Sequence, residues 1–395
     1  MPASQQATDW TQNGRLLPAN ASAYDYTGEG IAIDGDTLVL GARGHNEAFV
    51  YLWNGSQWAE QAYLTPADGA ANDRFGYAVA IDGDTIAVGA YLDDDLGADS
   101  GSVYVFTRSG AAWTQQAKLT AADGAAGDWF GYAVSLSGDS LIVGARNEDD
   151  GGSNAGAAYV FTRSGGVWTQ QAKLTAGDAG GNDWFGYAAA LSGDTAAVGA
   201  PREDGAANNA GSVYVFTRSG NTWTQQAKLT AGDAGSGDQF GSAVSLDNGT
   251  LLAGARYEDE KGGNAGAAYV FSGSGVSWSQ QAKLTAADGA AGDMLGYSVS
   301  VDGNTALVGA ISQDAGAADT GAAYVFAYEN GSWGQQAKLT ADTGASGDQF
   351  GFFVGLSGSY AVIGAPQDDD AGSNAGSAYT FVAGDQAVTS GERGE

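Results

Sequence analysis

Acidic residues recur at fixed positions in six loops of this chain, each loop following a Gly-Ala pair. An acid stands four residues past the Ala, and an Asp or Asn follows five residues later. Carboxylate and amide oxygens in flexible loops are the ligands that calcium prefers, and each loop offers one or two of the about six to eight that the ion needs. The pairs are Asp94 with Asp99, Asp149 with Asn154, Asp204 with Asn209, Asp259 with Asn264, Asp314 with Asp319 and Asp369 with Asn374.

A second interpretation of these pairs is turn chemistry. Asp and Asn side chains bond to nearby backbone N–H groups and tolerate left-handed backbone. An acidic loop also keeps a protein hydrated, and no ordered Asp-x-Asp-x-Asp-Gly series is present. Calcium binding and turn formation both fit the sequence, and calcium is the one cofactor that it suggests.

The net charge of the chain limits the kinds of molecule that it can bind. The formal net charge is −30, from 46 acids against 16 lysines and arginines, so nucleic acid and anionic membrane surfaces would repel the chain. The absence of cysteine excludes disulfides, thiolate metal sites and thiol nucleophiles. No apolar run is long enough to cross a membrane and the first residues show no secretion pattern, which leaves a removed signal peptide or a longer parent protein open.

Catalytic groups are scarce. His45 is the single histidine, and we interpret it as an ordinary loop residue. Paired carboxylates could hydrolyse glycosides, but acids placed alike in six units indicate architecture, because an active site normally breaks symmetry. We therefore expect a protein that is not an enzyme.

Two tryptophans depart from this regularity. Trp129 and Trp184 each follow an Asp and precede a Phe-Gly pair. An indole in that position could stack on a sugar ring or on a cationic side chain, or it could pack between repeats. We take both residues as candidate ligand-binding residues.

A repeat of 55 residues positions all of these groups. The Gly of Phe-Gly, or of its equivalent Leu-Gly at Gly296, recurs at Gly76, Gly131, Gly186, Gly241, Gly296 and Gly351, with Gly28 as a degenerate first copy, and a Gly-Ala pair follows each one. Seven units with four short apolar runs each are typical of a β-propeller. The sequence predicts an all-β fold of seven blades, each a four-stranded antiparallel sheet.

The strands of one unit can be read directly. Residues 130–136 form the first strand, with Phe130 and Tyr132 on one face, and a tight turn leads to the second strand. Residues 167–176 form the fourth, outer strand, and strict alternation places Trp168 and Leu174 on one face.

The chain ends predict how the ring closes. A strand-four pattern stands at residues 10–18, before the first complete unit, whereas the last unit has only three strands. Residues 10–18 should therefore pair near Tyr379 and Phe381 and complete the last blade. This gives a single propeller over residues 1–385 and a polar tail over residues 386–395.

Blade topology assigns the acids to one face. The connections from strand two to strand three (the post-Gly-Ala loops) and from strand four to the next blade (the inter-blade loops) share one side of the disc, which we call the loop face. Most of the 46 acids lie in these connections. The opposite side, the hairpin face, carries Arg108, Arg163 and Arg218.

Phe-Gly at one end and Gly-Ala(-Pro) at the other, as in Gly199-Ala200-Pro201, resembles the FG-GAP repeat family, which includes the propellers of integrin α subunits. The calcium loop of those repeats has no counterpart here, because the connection is reduced to Ser137-Gly138-Asp139. The resemblance implies an extracellular or cell-surface binding or adhesion module that meets a protein or carbohydrate ligand on its acidic loop face. The alternatives are a structural unit of a surface layer or filament, and a lectin or carbohydrate-acting enzyme.

Overall fold

Seven four-stranded antiparallel sheets make up the computed structural model, which describes residues 9–384. Each sheet is one blade of a ring, so the predicted fold class is confirmed. Across the described range, no helix is long and apolar enough to cross a membrane.

The strands follow the order expected from the repeats. Blade 1 contains β2 (Gly30–Asp34), β3 (Thr37–Ala42), β4 (Glu47–Trp53) and β5 (Trp58–Leu64). Blade 2 contains β6 (Val79–Asp82), β7 (Thr85–Ala90), β8 (Ser102–Ser109) and β9 (Ala112–Leu119). Blade 3 contains β10 (Phe130–Ser137), β11 (Ser140–Ala145), β12 (Ala157–Ser164) and β13 (Val167–Leu174).

The remaining blades repeat this plan. Blade 4 contains β14 (Ala188–Ser192), β15 (Thr195–Ala200), β16 (Ser212–Ser219) and β17 (Thr222–Leu229). Blade 5 contains β18 (Phe240–Asp247), β19 (Thr250–Ala255), β20 (Ala267–Ser274) and β21 (Ser277–Leu284). Blade 6 contains β22 (Leu295–Asp302), β23 (Thr305–Ala310), β24 (Ala322–Glu329) and β25 (Ser332–Leu339). Blade 7 contains β26 (Val354–Ser357), β27 (Tyr360–Ala365), β28 (Ser377–Gly384) and β1 (Asp9–Leu16).

The N-terminal strand closes the ring. β1 pairs antiparallel with β28, with Gln12 opposite Phe381 and Arg15 opposite Tyr379, which are the partners that the sequence predicts. The outer limits of the predicted domain, 1–385, and the predicted tail, 386–395, extend outside the described residues.

Glycine contacts near the axis join each blade to the next. A Cβ on Gly144, in the Gly-Ala pair of blade 3, would lie closer than 3.0 Å to the carbonyl oxygen of Gly186, the Phe-Gly glycine of blade 4. Gly186 itself has a φ of +88°, which disfavours any other residue. The same contact occurs at every junction, between Gly41 and Gly76, Gly89 and Gly131, Gly144 and Gly186, Gly199 and Gly241, Gly254 and Gly296, Gly309 and Gly351, and Gly364 and Gly28.

The outer strand departs from simple alternation. In β13 the register against β12 shifts between Ala172 and Gln170, so Gln171 is an extra residue, a β-bulge. Trp168 consequently packs in the core shared with blade 2, whereas Leu174 packs in the core shared with blade 4. The prediction that these two residues share a face is wrong, because the bulge reverses the alternation.

A second bulge redirects the first strand. Phe130 pairs with Ala145, but the next paired residue is Ala133, opposite Gly144. Phe130 packs on aromatic rings of its own blade, whereas Tyr132 contacts Tyr187 of the next blade. The predicted common face of Phe130 and Tyr132 is therefore also wrong, and the bulge turns Tyr132 toward the axis.

Two consecutive glutamines in the outer strands form hydrogen bonds that connect neighbouring blades. The Trp168 indole N–H donates to Gln116 of blade 2 at 2.8 Å, and the equivalent bond joins Trp223 to Gln171 at 2.9 Å. Gln170 accepts the backbone N–H of Ala122, in the preceding inter-blade loop, at 2.9 Å. The repeated Gln-Gln of the outer strand thus links neighbouring parts of the ring.

The glycine contact gives a direct test of the axis packing. We expect Gly144→Ala to lower the free energy of unfolding by ~3 kcal/mol, because the new methyl group meets backbone that cannot move aside without separating two blades. Gly334→Ala in β25 is the control, since a Cβ there meets nothing within 4 Å and no positive φ is involved. Urea unfolding followed by tryptophan fluorescence measures both, and equal stabilities would contradict the proposed constraint.

Candidate functional site

The six predicted acid pairs organise their own loops. In each pair a carboxylate oxygen of the first residue accepts the backbone N–H of the second, as from Asn154 to Asp149 at 2.6 Å and from Asp319 to Asp314 at 3.0 Å. The second residue has a positive φ in every case, +50° at Asn154. The pairs therefore perform the turn chemistry that the sequence allowed.

The same pairs also join blades. The carbonyl of Asp99 accepts the backbone N–H of Trp129 at 3.2 Å, and the carbonyl of Asn154 accepts that of Trp184 at 3.3 Å. In each pair, one carboxylate oxygen already accepts the backbone N–H bond within the loop. The other oxygen and the second side chain could still contribute about two calcium ligands per loop. Calcium at these pairs stays a prediction.

One buried acid and two exposed acids of the loop face surround a lysine. In blade 5, Lys283 Nζ lies 2.6 Å from Asp233, 2.9 Å from Glu258 and 2.7 Å from Glu260. Ligand oxygens of these three acids lie within 4.8 Å of one another, a spacing that suits a metal ion. Here the ammonium group of Lys283, a residue of the outer strand, occupies the position that a metal ion would take.

The electrostatics of this group favour the charged lysine. Burial by itself lowers the pKa of Lys283, but hydrogen bonds to Asp233, Glu260 and Glu258 outweigh it and hold that pKa above its usual value. Burial raises the pKa of Asp233, yet the bonds from Lys283 and Tyr269 bring it below its usual value. Both shifts stabilise the ion pair over the neutral pH range.

The lysine group varies around the ring. Among the residues that the structure describes, Lys118, Lys173 and Lys283 each contact three acids, Lys228 contacts two and Lys338 contacts only Asp288. In blade 7 the cation is Arg15, which binds Asp368 and Asp370. Blade 1 has Phe49 and Tyr63 at the positions of the tyrosine and the lysine.

Aspartates of the inter-blade loops form a second buried set. Asp128 accepts the backbone N–H of Ala125 at 2.8 Å, and the same bond recurs three residues before each equivalent Asp. Burial raises the pKa of Asp128, the backbone hydrogen bond opposes this, and nearby Glu148 and Asp149 raise it further. These acids therefore hold the loop backbone and lie close to the negative charges of the post-Gly-Ala acids.

His45 lies beside an acid and a hydroxyl without forming a catalytic triad. Its Nδ1 contacts the buried Asp25 and lies 3.4 Å from Ser22 Oγ. A triad needs the acid on one ring nitrogen and the serine on the other. Asp25 and Ser22 both lie next to the same ring nitrogen, Nδ1, so the imidazole cannot activate Ser22.

The two candidate tryptophans stack on tyrosines that line a central cavity. This cavity, of about 330 Å³, runs along the axis and is lined by first-strand residues, including Tyr132 and Tyr187. Trp129 and Trp184 are half-buried at its loop-face end, and the Trp184 ring stacks on Tyr187 at 5.9 Å. The indoles hold cations of the chain itself, because Arg146 lies 4.4 Å from the Trp129 ring and Arg202 lies 3.4 Å from the Trp184 ring.

Sequence reasoning missed the arginines at this end of the cavity. They stand directly after the Gly-Ala pair, at Arg146 and Arg256, or one residue later, at Arg202. The available signal was variation: this position changes from blade to blade while the residues around it repeat. The lysines of the outer strand were missed for the opposite reason, since they repeat so evenly that they resemble ordinary exposed residues.

Comparison with known proteins agrees with this architecture. The FG-GAP repeat profile matches residues 10–56, 58–106, 113–161, 168–216, 223–271, 278–326 and 333–381. Each matched segment begins on an outer strand and ends on the third strand of the following blade, except that the first ends at Ser56, in the turn after β4. The first segment therefore starts in blade 7, which is the phase that ring closure requires.

The fold also resembles solved structures whose sequences differ widely from this one. A chain in the crystal structure of the mitotic checkpoint complex resembles this one with a TM-score of 0.58 and 14% identity, over 94% of this chain and 95% of that chain. Identity this low shows the fold alone. No curated protein matches the sequence.

The lysine groups can be tested with one matched pair of variants. Lys283→Met leaves the buried Glu258 and two further acids without a cation, so we expect the free energy of unfolding to fall by ~2–4 kcal/mol. Lys338→Met is the control, because Gln313 and Ala315 stand where blade 5 has acids, and its loss should stay below ~1 kcal/mol. Urea unfolding measures both values. Similar losses would mean that the acids do not depend on the lysine.

Calcium is tested by thermal melting in millimolar calcium and in chelator. If the six pairs bind calcium, the wild-type melting temperature rises with the ion, since ligand that binds only the folded state adds stability. Lys283→Met should show a larger rise than wild type, because it frees three carboxylates for a cation. An unchanged wild-type melt would count against calcium at the pairs, and an unchanged variant against the view that lysine occupies a cation position.

Proposed function

This chain belongs to the FG-GAP repeat family, and from that premise we propose that it is a non-catalytic binding module of the cell surface or extracellular space. Its loop face meets a protein or carbohydrate ligand. The family's propeller fold suits a binding or scaffolding role, and the choice of face depends on how the repeated and unrepeated residues are distributed.

One observation carries the proposal: at the loop-face end of the central cavity, a position that neighbours strictly repeated residues differs from blade to blade. The residue before Phe-Gly is Arg74, Trp129, Trp184 or Gln239 in successive blades. Repeated positions build the ring, so selection for packing alone gives no reason for this variety. Variable side chains on a rigid frame are typical of recognition surfaces.

The acids of the loop face support a non-catalytic role. Those nearest the strands hold a lysine or an arginine, and the predicted pairs hold backbone N–H groups. A catalytic carboxylate must exchange protons with a substrate, and these carboxylates already have fixed partners. Two roles compete with the proposal: a structural unit of a surface layer or filament, and a lectin or carbohydrate-acting enzyme.

Because the chain has no cysteine, a single introduced cysteine can be labelled selectively to test which face binds the ligand. Ser153→Cys places one thiol on the loop face of blade 3, and Ser164→Cys places one on the hairpin face of the same blade, both at exposed positions. Each variant is coupled to a polyethylene glycol maleimide. Binding to a printed array of oligosaccharides and purified extracellular-matrix proteins is then measured. We expect the label at residue 153 to weaken binding at least about tenfold and the label at residue 164 to leave it unchanged.

Every outcome of this experiment bears on the proposal. Blocking by the label at residue 164 alone would place the ligand on the hairpin face and contradict it. A chain that binds nothing on the array and sediments as large oligomers would favour the structural role. Turnover of an array oligosaccharide, detected by mass spectrometry, would favour an enzyme.

A further inference from the structure

Three arginines come together on the loop face from three consecutive blades. Arg146 follows β11, Arg202 follows β15 and Arg256 follows β19. Arg256 lines the cavity described above, and Arg146 and Arg202 lie over the two tryptophans at its loop-face end. Within residues 9–384, none of them has a carboxylate within 4.0 Å.

Aromatic rings hold Arg146 in place of a carboxylate. Its guanidinium carbon lies 4.2 Å from the Tyr132 ring centre, 4.4 Å from Trp129 and 4.7 Å from Trp184. Its Nε is buried and has no hydrogen-bond partner. The rings attract the charge without neutralising it, so the guanidinium keeps hydrogen-bonding capacity for another group.

Arg256 is fixed and Arg202 is less restrained. Arg256 donates to Gln239 at 2.7 Å and to the Tyr187 hydroxyl at 3.0 Å. Arg202 rests on the Trp184 ring at 3.4 Å. Burial lowers the pKa of Arg202, and the nearby positive charges of Arg146 and Arg256 lower it further.

This arrangement is unusual for a chain with a net charge of −30. Within the described residues, every other lysine and arginine except Arg74 and Lys261 is paired with a carboxylate. Acids are abundant enough to neutralise all three arginines. Leaving them unpaired costs stability, and binding an anion would recover it.

We propose that Arg146, Arg202 and Arg256 form a binding site for the carboxylate of an acidic sugar, with the sugar ring against the neighbouring aromatic side chains. The inference rests on the proposed function and deepens it, because it names the site and the ligand class on the loop face. Guanidinium groups bind carboxylates through charged, often bidentate hydrogen bonds. Indole and phenol rings stack on the apolar face of a sugar.

The surroundings favour one isolated anionic group. Acidic post-Gly-Ala loops encircle the cavity end, among them the exposed Asp149, Asp204 and Asp259. A ligand with charges along its length, such as an acidic peptide, would bring some of them close to these carboxylates. A sugar with a single carboxylate places its one charge on the arginines and a neutral body elsewhere.

The test compares sodium glucuronate with glucuronamide, which has the same ring but no charge. Isothermal titration calorimetry measures both against wild type, Arg202→Gln and Arg163→Gln. Arg163 is the matched control, since it lies on the hairpin face and is paired with Asp139. We expect glucuronate to bind wild type and Arg163→Gln alike, glucuronamide to bind at least about tenfold more weakly, and Arg202→Gln to lose about tenfold or more in affinity.

Melting curves show whether Arg202→Gln is folded, and Arg202→Lys keeps the charge but loses the planar fork, so it should recover only part of the affinity. Equal binding of glucuronate and glucuronamide, or equal binding by wild type and Arg202→Gln, would overturn the proposal. Binding of a glutamate-rich peptide in place of glucuronate would overturn the sugar class. A ligand from the array experiment that is blocked at residue 153 but insensitive to Arg202→Gln would leave the proposed function standing and refute this site.

Discussion

The close approach of two glycines at each blade junction is the constraint on which the rest of the structure depends. The Gly of Gly-Ala in one blade faces the carbonyl of the Phe-Gly glycine in the next, at a distance that excludes any Cβ. All seven junctions share it, including the one between Gly364 and Gly28 that closes the ring. Because the sheets meet this closely at the axis, the inner strands leave only a narrow cavity and the outer strands spread apart.

Because the outer strands of neighbouring blades lie far apart, other contacts must connect the blades there. Backbone carbonyls of the post-Gly-Ala loops bind the following inter-blade loop, and glutamines join the outer strands. Blade 1 shows what happens when the loop is shortened. Asn46 replaces the backbone carbonyl with its side chain, whose oxygen accepts the N–H of Phe75 at 3.1 Å. The junction is kept although the loop that makes it is shorter than in the other blades.

Sequence periodicity predicted the fold, the number of blades and the phase of closure, because each depends on a pattern that recurs every 55 residues. It failed inside the strands, because the extra residue Gln171 reverses the alternation of the outer strand, and the two unpaired residues Gly131 and Tyr132 take Tyr132 off the face that pattern reasoning gave it. It also failed at the loops. The partner of Glu258 is Lys283, 25 residues away on another strand, and no local spacing indicates that a lysine fills the space between the acids. The arginine site left a different signal, variation after the Gly-Ala pair, but only the fold shows that three consecutive blades each bring one arginine to the same place.

The chain holds its cations in two different ways, and the difference has a consequence for binding. At the rim, lysines sit among carboxylates, which cancels their charge and turns the acids into internal structure. At the axis, arginines sit among aromatic rings, which stabilise a cation without cancelling it. The uncompensated acids of the outer loops repel anions over about 8 Å at physiological salt, whereas the arginines act at hydrogen-bonding distance. A face that is acidic from afar can therefore still accept an anion at its centre, provided that the anion is small and its charge is localised.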